Sequence, residues 1–433
     1  MQYIDSIQES LDYIEMNLKA EIKVEELANA AGYSLFHYYR IFQNLVGMPV
    51  MQYITRRKLL YSAFEISKGS KVIDTALSYG FDTNAGFYKA FMREFGKSPL
   101  DYIKHHTIKQ PYKIKLIQEE HIMITQNKIR EMLFHWNLQN EKLSDFYYIG
   151  TGNRADNVWN VGEKYIIKIG TNVKGLENHI KISKALSELG FDTSIPVESC
   201  DGKEYILDGE LYYYIANKLS GKPIKSIDIY GEEHNYIARY IGEIVGQLDL
   251  VLARFDNDIV CNETNILNDM LNWAIPKVKQ VSNLSDSFYD DYLNNFSVLY
   301  PHLPKQIIHR DINPSNIIMQ DGKVSGFIDF ELTEKNIRIF DPCYTATAIL
   351  SETFTNEKID KKKWLAIFES IVTGYDSVVK LSKQEKEAIP YVIFSIQFIC
   401  IAYFSGFEKY KELTKINRDM LNWFIENKEK LIV

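Results

Sequence analysis

Two stretches of the chain repeat one another: AGYSLFHYYRIFQNLVGMPVMQYI at 31–54 and YGFDTNAGFYKAFMREFGKSPLDYI at 79–103. Gly32 and Gly80 occupy corresponding points, and Phe42/Phe91, Gly47/Gly96 and Tyr53-Ile54/Tyr102-Ile103 recur at an offset of 49. A motif present only twice is a duplicated supersecondary unit and not a solenoid. Each unit reads as two helices around a tight turn. Val24, Leu27, Ala28 and Ala31 fall at helical spacing, and Gly32 breaks the helix by taking a positive φ. Ser34 suits the N-cap of the next helix, whose inward face is Tyr38, Ile41 and Phe42. The second unit follows with Gly80, then Asp82 or Thr83 as cap, and Phe87 and Phe91 inside. Helix, Gly turn, helix is the helix-turn-helix pattern.

The positions that the core does not use on the second helix of each unit are Phe36, Tyr39 and Arg40, then Asn84, Lys89 and Arg93. Arg and Asn make bidentate contacts to base edges, and Lys holds phosphate. The alternative is a merely solvated helix face. Charge is unevenly spread. The chain carries −7 overall, yet residues 34–107 hold ten basic and five acidic side chains, a local +5. A basic segment in an acidic chain is where a phosphate-facing surface is expected. On these motifs residues 8–105 resemble the AraC-type DNA-binding domain. The resemblance implies seven helices and two recognition helices entering successive major-groove segments of double-stranded DNA. One chain then covers two half-sites about 34 Å apart without dimerising. The DNA-reading residues it implies are Phe36, Tyr39, Arg40, Asn84 and Lys89. An effector domain behind the reader matches one subgroup of the family.

At 433 residues the chain exceeds one ordinary core. Pro111 and mixed charge interrupt the helical pattern at 106–123, which reads as a semi-rigid join. A new helix is expected over about Thr125–Leu138, with Ile129, Leu133 and Trp136 inward. From 146 short strands begin. FYYIGTGNRADNVWNVGEKYIIKIG contains a Gly-rich turn at Gly150 and Gly152 and ends on a strand bearing Lys168. That turn departs from G-x-G-x-x-G at Ala155. A lysine inside YIIKIG needs a partner, and Glu177 is the nearest candidate; an edge-strand lysine facing water is the alternative. ELYYYIANKLSGKPI at 210–224 reads as a strand entering a hinge, with backbone near Ala216–Lys218 available to an adenine.

IIHRDINPSNIIMQDGKVSGFIDFE then places Asp311, Asn316 and Asp329 between apolar runs joined by a turn at Asp321-Gly322. Phosphoryl transfer needs a carboxylate to accept or orient the acceptor hydroxyl, and an amide oxygen and a second carboxylate to hold Mg²⁺ on the phosphates. His309 braces the loop. Residues 124–433 therefore resemble the aminoglycoside phosphotransferase/choline kinase branch of the kinase-like fold. IDFELTEKNIRIFD, with Asn336, Arg338 and Asp341, resembles the choline/ethanolamine kinase stretch. Arg310 departs from the Gly common in aminoglycoside phosphotransferases. The resemblance implies ATP and Mg²⁺ as cofactors, Asp311 as base, Asn316 and Asp329 on the metal, Lys168 on the phosphates, and Asp341 bracing the catalytic loop. The C-terminal helices either line an acceptor pocket through Tyr391, Phe394, Phe398, Tyr403 and Phe404 or form a plain helical core.

The expected architecture is multidomain: an all-α N-terminal domain with two helix-turn-helix units, then an α+β bilobal protein-kinase-like domain. The boundaries are 1–107 for the DNA-binding domain, 108–123 for the linker, 124–219 for the smaller lobe and 220–433 for the larger lobe with the catalytic loop. The scattered Cys200, Cys261, Cys343 and Cys400 argue against a zinc site or a disulfide scaffold and suit a reducing cytoplasm. MQYIDSIQES lacks a signal-peptide pattern. The uncharged run at 389–407 is expected as a buried helix and not a membrane span, because Gln397 interrupts it. Two functions remain open. In one, a DNA-binding regulator phosphorylates a small-molecule hydroxyl acceptor. In the other, the kinase-like half is a non-catalytic nucleotide or metabolite sensor for an effector.

Overall fold

The computed structural model describes residues 2–432 except 106–107, 109, 112, 115, 117–125, 148–153, 210, 256–258 and 408–409. The chain forms two compact units, one of residues 1–148, 152–170 and 197–216, the other of residues 149–151, 171–196 and 217–433.

The first unit opens with seven helices: α1 (Gln2–Met16), α2 (Val24–Ala30), α3 (Leu35–Val46), α4 (Val50–Ser67), α5 (Val72–Ser78), α6 (Asn84–Phe95) and α7 (Pro99–His105). The duplication is visible bond for bond. Gly32 (φ +74°) and Gly80 (φ +79°) end α2 and α5 in the left-handed turn that only glycine takes cheaply. The following amides close the same loop, Tyr33 N–H to the Ala28 carbonyl at 2.9 Å and Phe81 N–H to the Ala76 carbonyl at 3.1 Å. Ser34 caps α3 by accepting from His37 N–H, and Thr83 caps α6 by accepting from Gly86 N–H. Phe42 meets Tyr53 edge-on at 5.7 Å, and Phe91 meets Tyr102 edge-on at 5.5 Å. α4 belongs to both small cores, with Tyr53 and Ile54 in one and Leu59, Ala63 and Ile66 in the other.

Two of the ten basic side chains of residues 34–107, Arg56 and Arg57, are turned into the core and do not add to its basic surface. Both are buried on α4, where Arg57 forms a bidentate pair with Glu15 (2.5 and 2.9 Å) and Arg56 binds Glu94 at 2.8 Å. The Tyr53 hydroxyl donates to Glu15 at 2.8 Å and completes the satisfied network that a buried ion pair requires.

The first unit continues with α8 (Gln126–Leu133), a single 3-10 turn at Phe134–Trp136, and a five-stranded sheet in the order β1-β2-β3-β5-β4. Its strands are β1 (Leu143–Tyr147), β2 (Arg154–Val161), β3 (Tyr165–Gly170), β4 (Ile206–Asp208) and β5 (Leu211–Asn217). Ile129, Leu133 and Trp136 bury against Trp159, Ile167 and Ile169 on one sheet face, as their spacing predicts. Trp136 Nε1 donates to the Val197 carbonyl at 2.7 Å, so the buried indole has its partner.

The second unit begins with α9 (Val173–Glu188). It then carries β6 (Lys222–Pro223), α10 (Ser226–Ile229), α11 (His234–Leu252), α12 (Ile266–Asp269), α13 (Ile275–Val281), α14 (Asp286–Leu299), β7 (Lys305–Ile308), β8 (Ile317–Gln320), β9 (Lys323–Phe327) and β10 (Glu334–Ile337). It ends with α15 (Phe340–Thr353), α16 (Lys361–Val378), α17 (Lys383–Phe404) and α18 (Lys411–Glu426). Two small sheets, β7 with β10 and β6-β8-β9, stand on this helical body. α17 is long and apolar enough to cross a membrane, but 67% of its most apolar window is buried inside the protein. Phe394 and Phe398 are wholly buried in the core, so they do not line a pocket; Tyr391 and Phe404 are half-buried and Tyr403 is exposed.

Candidate catalytic loop and DNA-facing helices

The loop between β7 and β8 is held from below by one carboxylate. Asp341, at the start of α15 and fully buried, accepts the His309 and Arg310 backbone N–H groups, each at 2.9 Å. The His309 ring lies against Phe330 with centroids 4.6 Å apart. Its Nε2 donates to the Ile328 carbonyl at 3.0 Å, which leaves Nδ1 to accept the Asp311 N–H at 3.3 Å. The histidine thus joins the Asp311 loop to the segment leading into Asp329. Arg310 has φ +69°, a left-handed conformation that favours glycine. Here Asp341 holds its N–H and Glu334 binds its guanidinium at 2.7 Å, which offsets the strain of roughly 1–3 kcal/mol.

Asp311 is half-buried and heavily bonded. Its Oδ1 accepts the Tyr344 hydroxyl at 2.6 Å and Asn313 Nδ2 at 3.1 Å; among the described residues Oδ2 receives Asn316 Nδ2 alone, at 3.3 Å. Oδ2 is therefore the less committed oxygen. Burial raises the Asp311 pKa, and the Asp329 carboxylate raises it further, while Tyr344 and Asn313 pull it down. Asn316 spends its amide nitrogen on the Asp311 carbonyl at 2.7 Å, which leaves its Oδ1 as an acceptor. Asp329 sits at φ +70°, ψ +56°, a left-handed turn between β9 and the Phe330–Leu332 turn. Among the described residues no group of three or more His, Cys, Asp and Glu side chains forms a metal cluster. Asn316 and Asp329 supply one amide and one carboxylate oxygen, which fits Mg²⁺ that takes its other ligands from phosphates and water.

The remaining predicted residues are placed as follows. Lys168 is half-buried on β3, in register with Val158 and on the face opposite Ile167 and Ile169. Glu177 lies on the exposed side of α9. Gly150 and Gly152 lie outside the described residues. On the DNA-binding side, Phe36 (73% exposed) and Arg40 project from α3 with Tyr39 half-buried beside them. Asn84 and Lys89 are exposed on α6. Tyr344 and Asn313, which bond directly to Asp311, escape a reading by motif. Asn313-Pro314 carries only a turn signal, and Tyr344 is one helical turn beyond Asp341, legible only once that helix is placed.

Two helix-turn-helix units and a braced His-x-Asp loop define a DNA-binding regulator joined to a kinase-like phosphotransferase domain. Residues 145–361, half of the chain, match the phosphotransferase enzyme family, and the chain belongs to that family. Residues 27–105 match a helix-turn-helix domain, of the AraC type. The HTH-type transcriptional activator AarP of Providencia stuartii is 39% identical over 97 residues, 22% of this chain and 72% of that protein. The chain spans only 35% and 41% of two other helix-turn-helix relatives. Two solved structures share the kinase-like fold. The amicoumacin kinase hAmiN, in complex with AMP-PNP, Ca²⁺ and Ami, has TM-score 0.52 and 15% identity, over 71% of this chain and 92% of that one. A microcompartment-associated aminopropanol kinase has TM-score 0.51 and 13% identity, over 71% and 99%.

Proposed function

We propose that this chain is an AraC-type transcriptional regulator whose phosphotransferase-family domain moves the γ-phosphate of ATP to a hydroxyl of a small molecule, in the cytoplasm. The observation that carries this reading is the Asp311 carboxylate, held by Tyr344, Asn313 and Asn316 in a loop braced by Asp341 and His309. Asp311 accepts the acceptor's proton through Oδ2 as the acceptor oxygen bonds to the γ-phosphorus. The bond from that phosphorus to the bridging oxygen breaks, and ADP leaves. Asn316 Oδ1 and Asp329 would hold Mg²⁺, which would neutralise phosphate charge. Lys168 and Glu177 keep the nucleotide-positioning roles carried by the resemblance. Phe36, Tyr39, Arg40, Asn84 and Lys89 contact double-stranded DNA, and the two units of one chain can reach two half-sites.

The test is purified full-length protein with Mg·ATP and a panel of aminoglycosides, macrolides, choline and amino alcohols. Phosphorylated product with at least one acceptor is expected. Tight ATP binding with no product from any of them favours the second reading, a nucleotide or metabolite sensor.

A further inference from the structure

α11 carries one acidic residue in its buried stripe: Asp249, between Leu248 and Leu252, with no exposed surface. Its Oδ2 accepts the Tyr375 hydroxyl of α16 at 2.6 Å, and its backbone carbonyl accepts the Gln306 amide of β7 at 2.7 Å. Its Oδ1 is buried and meets no donor. The group that it faces is the side chain of Asp341, the carboxylate that holds the His309 and Arg310 amides. The cation beside the pair, Arg338, is committed to a bidentate bond with Glu385 at 2.7 and 2.9 Å. The Tyr375 hydroxyl lies 3.4 Å from the Arg338 carbonyl. Two carboxyl groups thus meet in the core with one hydroxyl, two amides and a guanidinium already engaged elsewhere. Both cannot ionise in such a place. Asp341 is the better anion, because it receives two N–H bonds and lies near His309, whereas the Asp249 carboxyl receives a single hydroxyl.

We propose that Asp249 is a positioning residue for the catalytic loop: as a neutral acid it donates a hydrogen bond from Oδ1 to the Asp341 carboxylate, and so fixes the two oxygens that hold His309 and Arg310. Burial raises the Asp249 pKa and the Asp341 charge raises it further, the direction this role needs. An acid that looks like a defect in an apolar helix then has a purpose two bonds away from Asp311. The inference rests on the loop's geometry and not on the reaction proposed above, so it stands or falls without an acceptor.

Hydrogen exchange on the full-length chain tests it. Asp249→Leu keeps the bulk and removes the donor; Asp249→Asn keeps a neutral donor. Exchange at the His309 and Arg310 amides is expected to be about tenfold faster or more in the Leu variant and unchanged in the Asn variant. Infrared spectra of wild type at about pH 7 are expected to show the carbonyl stretch of a protonated carboxylic acid, a band missing from Asp249→Asn, and this arm holds even where the Leu variant does not fold. Wild-type protection of both amides in a folded Leu variant overturns the proposal. So does loss of protection in the Asn variant, or an acid band that the Asn variant leaves in place.

Discussion

The two functional regions handle charge differently. In the helical front, buried charges are paired and silent: Arg57 with Glu15 and Arg56 with Glu94 lock α4 to its neighbours, while Arg40 and Lys89 point outward. Around the Asp311 loop, opposite charges are also paired, Arg310 with Glu334, but like acids are brought together as well: Asp311 with Asp329, and Asp249 of α11 with Asp341. The difference follows from the ligand. A DNA reader meets an anion that comes to its surface, so it needs exposed cations on a rigid frame. A phosphotransfer loop must hold a divalent cation, so it gathers oxygen ligands and tolerates their mutual repulsion until the cation arrives.

The largest effect that sharpens this contrast is expected from Asp311→Ala. Phosphoryl transfer should fall by about 10²–10⁴-fold, measured as product per enzyme with Mg·ATP, while DNA affinity stays at the wild-type value. Equal turnover by the variant would remove Asp311 from the reaction. Next comes Arg57→Met, which strands Glu15 in the core and should cost the helical front about 3–5 kcal/mol in urea unfolding. A change below about 1 kcal/mol would mean the pair is better exposed than its geometry indicates. Arg40→Ala and Lys89→Ala should each weaken binding to a selected DNA site by about 1–3 kcal/mol, and the variant that loses a phosphate contact should also lower the salt slope by about one. An unchanged affinity and slope would sink the recognition assignment.

The smallest effect is a pH dependence. Asp249 binds its proton more tightly in the folded chain than in the unfolded one, so its contribution is complete below the ordinary carboxylate range and fades as pH rises through the raised folded value. Thermal unfolding of wild type relative to Asp249→Asn should therefore shift in favour of the Asn variant as pH rises. A difference that is flat with pH would assign no titration to Asp249.

Much of this was legible in the sequence for a physical reason. Turn chemistry is local, so Gly32, Gly80, Ser34 and the Asp82-Thr83 pair announce the helix-turn-helix units without tertiary information, and the structure picks Thr83 as the second cap. The roles proposed for Asp311, Asn316 and Asp341 come from the family resemblance of one stretch of chain, which their spacing carries. What stayed hidden depends on contacts between distant segments. The +5 balance of residues 34–107 counts Arg56 and Arg57, and nothing local shows that Glu94 and Glu15 fold onto them. Tyr344 becomes a partner of Asp311 only when α15 docks under the loop. Phe394 and Phe398 are indistinguishable in sequence from pocket walls, and only packing consigns them to the core. Asp249 did carry a signal, a lone acid at a buried helical position, but its partner lies 92 residues further along the chain.

The most direct test of the contrast is an ATP titration of the full-length chain with and without Mg²⁺, wild type beside Asp329→Ala, with DNA affinity recorded on the same preparations. The account predicts that Mg²⁺ strengthens ATP binding to wild type, that the variant loses this dependence, and that both bind DNA alike. ATP binding indifferent to Mg²⁺ in wild type, or equally Mg²⁺-dependent in the variant, would contradict it.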